Sequence, residues 1–145
     1  MMAVLQRVKE ASITVAGNVT GRTGPGLLIL LGVGKGDQKA DAEYLASKIV
    51  NLRIFPDEAG KMNRSVLDVK GGLLVASQFT LYGDCRKGRR PAFDQAADPT
   101  LAKLLYDYFF VLLCKTGLNV ESGIFQAHME ISLVNDGPVT LICHS

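Results

Sequence analysis

Two hydroxyls, Ser77 and Thr80, interrupt the apolar run from Leu73 to Tyr82, with Gln78 and Phe79 between them. Such hydroxyls attack a carbonyl when a base takes their proton, or line a pocket in which backbone N–H groups polarise the carbonyl. A triad needs a base and an orienting acid, and Ser77 lacks the G-x-S-x-G setting of a nucleophile elbow. The chain has 2 histidines: His144 is penultimate, and His128 falls on the strand face opposite Met129. That placement argues against a triad, leaving a small-molecule esterase that uses Ser77 or Thr80 with His128 as an alternative. Just downstream, Arg86-Lys87-Gly88-Arg89-Arg90-Pro91 sets four cations within five positions. This density suits phosphates, and Gly88 permits close backbone approach. A solvated basic loop has the same composition, but its place directly after Ser77–Thr80 favours a binding role. Cys85 borders these cations, the setting of a reactive thiol, although an inert loop cysteine is the simpler reading. Gly137-Pro138 separates the apolar runs Ile131–Val134 and Val139–Ile142. As punctuation it is a strand-breaking turn. It can also expose its carbonyls, since an X-Pro bond admits the cis form.

The elements that must position these residues follow from periodicity. Leu5 to Val15 alternates as a strand, and Ala16-Gly17-Asn18-Val19 reads as a tight turn into a short return strand. After the break Arg22-Thr23-Gly24-Pro25-Gly26, the continuous apolar run Leu27 to Val33 predicts a central strand covered on both faces. Asp37 is expected to cap a helix that aligns Ala42, Leu45, Ala46, Ile49 and Val50 on one face. A short strand at Leu52–Phe55, a turn at Pro56–Gly60 and an irregular segment from Lys61 to Val69 precede a strand from Leu73 to Tyr82. Asp98-Pro99 opens a second helix with the stripe Leu101, Leu104, Leu105, Tyr108, Phe109, Leu112 and Leu113, ended by Gly117. From Val120 onward the chain returns to strand.

Composition bounds the remaining classes. With 145 residues, 48% hydrophobic and 21% charged, the chain fits one globular domain spanning residues 1–145. The longest apolar run, Leu27–Leu31, falls far short of the ~20 residues a bilayer demands. No charged stretch followed by an apolar one opens the chain, so a cytoplasmic protein without a membrane partner is expected. Cys85, Cys114 and Cys143 have no C-x-x-C spacing, which argues against a disulfide framework and a zinc site. No metal or cofactor is expected. A net charge of +2 requires any polyanion site to be local. Gly32-Val33-Gly34-Lys35-Gly36 is not a phosphate loop, because Ile29 and Gly36 stand where a glycine and a Ser or Thr are needed.

Several segments together resemble one family. Gln6-Arg7-Val8, Gly60-Lys61-Met62-Asn63, Ser77-Gln78-Phe79-Thr80-Leu81, Lys87-Gly88-Arg89-Arg90-Pro91 and Asn135-Asp136-Gly137-Pro138-Val139-Thr140 are similar to the D-aminoacyl-tRNA deacylases of the bacterial and eukaryotic type. The resemblance runs essentially from end to end. It implies a single α/β domain with mixed β-sheets in two layers, two main helices on one face, and a homodimer. It implies hydrolysis of the ester joining a D-amino acid to tRNA, with glycyl esters mischarged on the alanine tRNA as further substrates. Its partners are then aminoacyl-tRNA and a second copy of the chain, with no DNA. A non-catalytic tRNA 3′-end binding protein would use the same features.

Residue roles follow from the same resemblance. Ser77, Gln78, Phe79 and Thr80 would form the catalytic pocket, with the Phe79 N–H foremost in holding the oxyanion and the substrate's 2′-hydroxyl assisting water. Thr80 as nucleophile is the rival proposal. Gly137 and Pro138, in a cis linkage, would enter the other subunit's site and exclude L side chains, with Arg7 bracing the dipeptide. Phe125, Ala127 and Met129 would bind substrate, and Arg86, Lys87, Arg89 and Arg90 would contact tRNA. The chain departs from the family pattern at Gln126 and His128, where glycine and aspartate are usual.

Overall fold

The computed structural model describes residues 1–145. Strand β1 (Met2–Val15) turns through Ala16-Gly17 into β2 (Asn18–Thr23), and β3 (Gly26–Gly32) follows. Helix α1 (Lys39–Asn51) leads to a small ribbon of β4 (Phe55–Pro56) and β5 (Met62–Arg64), then to β6 (Gly72–Ser77). Helix α2 (Pro99–Cys114), β7 (Val120–Ser122) and β8 (Glu130–His144) complete the chain.

β1 organises the molecule. It pairs antiparallel with β8 along one edge, and its other edge pairs with β3 through Met2–Val8 and then with β2 through Ala11–Val15. β3, β6 and β7 run parallel, giving one mixed six-stranded sheet. Ala3 and Leu5 face the helices, whereas Val8, Ala11 and Ile13 join the opposite cluster. An extra residue in a strand reverses which parity faces a given side. Here the register with β8 slips between Val8 and Glu10, beside the exposed Lys9 and Glu10. The sheet bends there and curls over itself, bringing the Arg22 N–H to the Glu121 carboxylate at 2.8 Å. The two sheets expected in separate layers are therefore one sheet rolled nearly into a barrel.

The expected central strand is β3. Leu27, Ile29 and Leu31 pack with Leu73, Val75 and both helices, while Leu28, Leu74 and Ala76 fill the inside of the curl. Both helices cover one face, as expected. Asp98 caps α2 by accepting from the Thr100 and Leu101 N–H groups at 2.9 and 3.2 Å. The cap of α1 is Gln38, not Asp37, and its N–H donates to Asp41 at 2.8 Å. Asp37 instead accepts from the Gly34 N–H at 2.6 Å, the Tyr82 hydroxyl at 3.3 Å and the Met1 ammonium at 2.7 Å. The Gly32–Gly36 segment is thus a turn knitted to its surroundings. On α2, Leu104 is exposed and Tyr106 is buried in its stead. The Tyr106 ring packs in the core while its hydroxyl donates to the Val75 carbonyl at 3.1 Å, which removes the penalty for burying it.

Two differences bear on function. The strand expected from Leu73 to Tyr82 ends at Ser77 and becomes a 3-10 turn, Phe79–Tyr82. Gly137-Pro138 is not a hairpin turn: β8 continues through it, and both halves pair with β1. Between the pairs Gln6–Thr140 and Val8–Asn135, residues 136–139 stand opposite Arg7 alone, forming a wide bulge. The short elements also shifted, with the strand expected at Leu52–Phe55 reduced to Phe55–Pro56 and a second one, Met62–Arg64, found in the segment read as irregular.

Candidate active site

Ligands of open parallel sheets bind outside the carboxyl ends of the strands. Here the segments leaving β3, β6 and β7 at those ends meet the first half of α2 around a cleft of about 730 Å³. Val33 follows β3, Ser77, Gln78 and Phe79 close β6, and the loop Phe125–Met129 follows β7; Pro99, Ala102 and Tyr106 form the helical wall. Of the residues expected at the site, Ser77, Gln78, Phe79, Phe125, Ala127 and Met129 share this cleft. Thr80 does not line it.

The break in β6 has a local cause. The Gln78 N–H still donates to the Leu31 carbonyl at 2.8 Å, but the next bonds are turn bonds, Leu81 N–H to Gln78 at 3.3 Å and Gly83 N–H to Thr80 at 2.9 Å. The leading N–H groups of a helical turn have no acceptor within it. Phe79 leads this turn from the cleft wall.

No Asp, Glu, Lys or Arg lines the cleft. Its ionisable groups are His128 and Tyr106. Burial pushes the Tyr106 phenol up to about 12, so it stays neutral across physiological pH. Ser77 and His128 share the cleft without a hydrogen bond between them. The Thr80 hydroxyl accepts from the Gln78 amide, with no base beside it. The arrangement offers backbone donors and an apolar enclosure rather than an activated side-chain nucleophile.

The loop after β7 presents Phe125 against Tyr106, ring centroids 5.7 Å apart. Gln126 adopts φ +63°, a left-handed conformation uncommon outside glycine, Asn and Asp. Its amide makes no hydrogen bond within the chain, and the residue is exposed at the cleft.

The Gly137-Pro138 bond is cis, and both residues are exposed. The dipeptide does not line the cleft of its own chain. Arg7, expected to brace the dipeptide by hydrogen bonding, bonds within its own chain to the residue just before it. The Arg7 Nε donates to the Asp136 carbonyl at 3.0 Å and pairs with the Asp136 carboxylate at 3.2 Å, while Nη1 donates to the Ile54 carbonyl. At Gly137, φ is +132°, and a Cβ would lie 2.9 Å from Val139 Cγ2 and 3.1 Å from Arg7 Nη2. Glycine is required there on both counts.

The basic loop is a hairpin closed by reciprocal Asp84–Ala92 backbone bonds of 2.7 and 3.0 Å, with Gly88 at φ +71° near its tip. Arg86 is bound by Asp84 through bonds of 2.9 and 2.6 Å, and these bonds hold the Asp84 carboxyl well below its usual range. Lys87, Arg89 and Arg90 have no carboxylate partner. Four expected cations are therefore three free ones. Cys85 is exposed in the same loop. Sequence reasoning passed over Phe93, an exposed aromatic at the foot of this loop that meets Phe79 edge to face at 5.1 Å. Its only sequence signal is an aromatic in an otherwise polar segment. No helix is long and apolar enough to cross a membrane, and no cluster of His, Cys, Asp and Glu has a metal-binding arrangement.

The matches to known proteins run along the whole length of the chain. Residues 4–144 match the family model described as D-Tyr-tRNA(Tyr) deacylase. A D-aminoacyl-tRNA deacylase of Thermosipho africanus is 61% identical over 146 residues, covering 100% of this chain and 97% of that protein. One from Bacillus cytotoxicus is 60% identical, covering 100% and 99%. Among solved structures, a c-Myc DNA unwinding element binding protein superposes with a TM-score of 0.94 at 40% identity, covering 100% of this chain and 99% of that one. A probable eukaryotic D-amino acid tRNA deacylase shares the fold, with a TM-score of 0.85 at 17% identity over 98% and 97% of the chains.

Proposed function

The chain belongs to the D-Tyr-tRNA(Tyr) deacylase family, and from that membership we propose that it is a hydrolase cleaving the ester between a D-amino acid and the 3′ end of tRNA. This is a proofreading step of translation and, on this reading, a cytoplasmic one. The observation that carries the mechanism is a cleft without an Asp, Glu, Lys or Arg side chain, walled by the leading residue of the turn that ends β6. The Phe79 N–H polarises the ester carbonyl and holds the developing oxyanion, a kind of donor worth about 2.7–4 kcal/mol. Water, assisted by the terminal ribose 2′-hydroxyl, adds to the carbonyl carbon. The bond to the 3′-oxygen then breaks, and that oxygen leaves with a proton. Ser77 and Gln78 shape the pocket, and Thr80 positions Gln78 rather than attacking. Phe125, Ala127 and Met129 enclose the terminal nucleoside, while Lys87, Arg89 and Arg90 follow the tRNA backbone. Arg86 joins them only if Asp84 releases it. No cofactor or metal has a task in this scheme.

Selectivity is by exclusion. Two copies associate, and the exposed Gly137-Pro138 carbonyls of one occupy the space an L side chain would need in the other's cleft. Support comes from the dipeptide's absence from its own cleft and from the exposed apolar residues Leu133, Val134 and Ile142 along β8. Glycine has no side chain to exclude, so glycyl-tRNA is a substrate of the same site.

The similarity to a DNA-element binding protein favours one second reading, a nucleic-acid-end binder without turnover. Incubation with D-tyrosyl-tRNA and L-tyrosyl-tRNA decides between them. The D ester is expected to disappear while the L ester persists; equal lifetimes for both would sink the enzyme reading.

A further inference from the structure

Phe79 and Phe93 form an aromatic step on the surface. Their rings meet at 63° with centroids 5.1 Å apart, and they remain 57% and 37% exposed. Single exposed apolar residues are ordinary, but these two are in contact, and Phe93 follows the basic loop within three residues of Arg90. Phe79 is a wall of the cleft, whereas Phe93 lies outside it. Phe93 also stands next to Ala92, which closes the basic hairpin with Asp84. The step thus runs from the catalytic cleft to the loop carrying Lys87, Arg89 and Arg90.

Its position is fixed by backbone. The Phe93 carbonyl accepts from the Ala96 N–H at 3.0 Å. A Cβ on Gly83 would come within 3.0 Å of the Phe93 ring and of the Thr80 carbonyl, so Gly83 is what lets the ring lie against the turn. The neighbouring charges are also accounted for. Asp84 is taken up by Arg86 and Asp98 caps α2, which leaves Asp94 as the exposed carboxylate without such a role. Three unpaired cations outweigh it.

Exposed aromatic faces beside a cationic track are how proteins hold single-stranded nucleic acid, because every base has a face to stack and every linkage a phosphate. Resting on the deacylase reading, we propose that Phe93, with the outer face of Phe79, is a stacking platform for the unpaired RNA nucleotides immediately preceding the terminal adenosine. The free loop cations contact the phosphates of the same nucleotides. The cleft holds the aminoacyl-adenosine; the platform holds what comes before it.

The test compares two substrates in steady-state kinetics, D-tyrosyl-tRNA and 3′-D-tyrosyl-adenosine, which has no preceding nucleotide. Phe93→Leu is expected to raise KM for the tRNA ester by about tenfold, in the range of one lost base stack, and to leave KM for the adenosine ester in place. Phe93→Trp restores the tRNA value. Equal losses on both esters would show that Phe93 only props Phe79, and no change on either would remove the contact. Affinity for uncharged tRNA is measured in parallel. If the wild-type protein hydrolyses neither ester, the deacylase reading fails, while weaker uncharged-tRNA binding by Phe93→Leu still upholds the platform and unchanged binding overturns it.

Discussion

Gln126 holds φ +63° at the cleft, where a left-handed conformation costs a side-chain-bearing residue about 1–2 kcal/mol. Nothing in the chain repays that cost, because its amide has no partner. Gln126→Gly is therefore expected to raise the thermal midpoint by about 3 °C, measured by calorimetry; a lowered midpoint would mean the side chain makes a stabilising contact. That Gln126 departs from the family pattern was legible in the sequence, but its backbone angle was not. Arg7 teaches the same lesson. It was recognisable by type and position, yet its grip on Asp136 depends on a bulge in a strand 129 residues away in the chain. Ser77 was found from its odd place in an apolar run, whereas Phe93 was missed because a lone aromatic in a polar stretch carries no periodicity.

The basic loop is the element whose chemistry the tertiary structure changed most. Four cations in sequence become three because Asp84 folds back on Arg86. A carboxylate held below its ordinary pKa contributes its pairing above the unfolded value and loses it only as pH falls through the depressed one. The Asp84 carboxyl is depressed chiefly by its bond from the Arg86 side chain, so the pair persists across about pH 5–8 and Arg86 stays engaged there. Asp84→Asn is expected to free Arg86, tighten tRNA binding and steepen the salt dependence by about 0.7 in slope, as for one added phosphate contact on a single strand. Filter binding at several salt concentrations measures this, and an unchanged slope would show that Arg86 faces away from the RNA. Among the regular elements, α1, α2 and β3 were legible because each has a long run of one period. The end of β6 was not, since Leu73 to Tyr82 remains apolar enough to read as strand while its hydrogen bonds change to those of a turn.

For the whole molecule, the proposed association of two copies rests on the open edge of β8. β8 pairs only with β1, and Val134 and Ile142 are 47% and 64% exposed along it. Unpaired strand edges with apolar side chains invite a second chain. Replacing Val134 and Ile142 together by Glu is expected to give a folded monomer that has lost hydrolysis of D-tyrosyl-tRNA. Analytical ultracentrifugation and circular dichroism check this, and a monomeric, active wild-type protein would contradict it. The amino-acid sequence alone determined a single α/β domain, two helices on one face and the family, and it pointed to Ser77–Phe79 at the cleft, because these rest on local periodicity and contiguous motifs. Only the tertiary structure decided that the sheet is one curled surface and that Gly137-Pro138 is a bulge rather than a turn. It also decided that no Asp, Glu, Lys or Arg lines the cleft. Those outcomes depend on which distant strands pair with β1 and on which side chains meet across them, and no local pattern encodes such pairings.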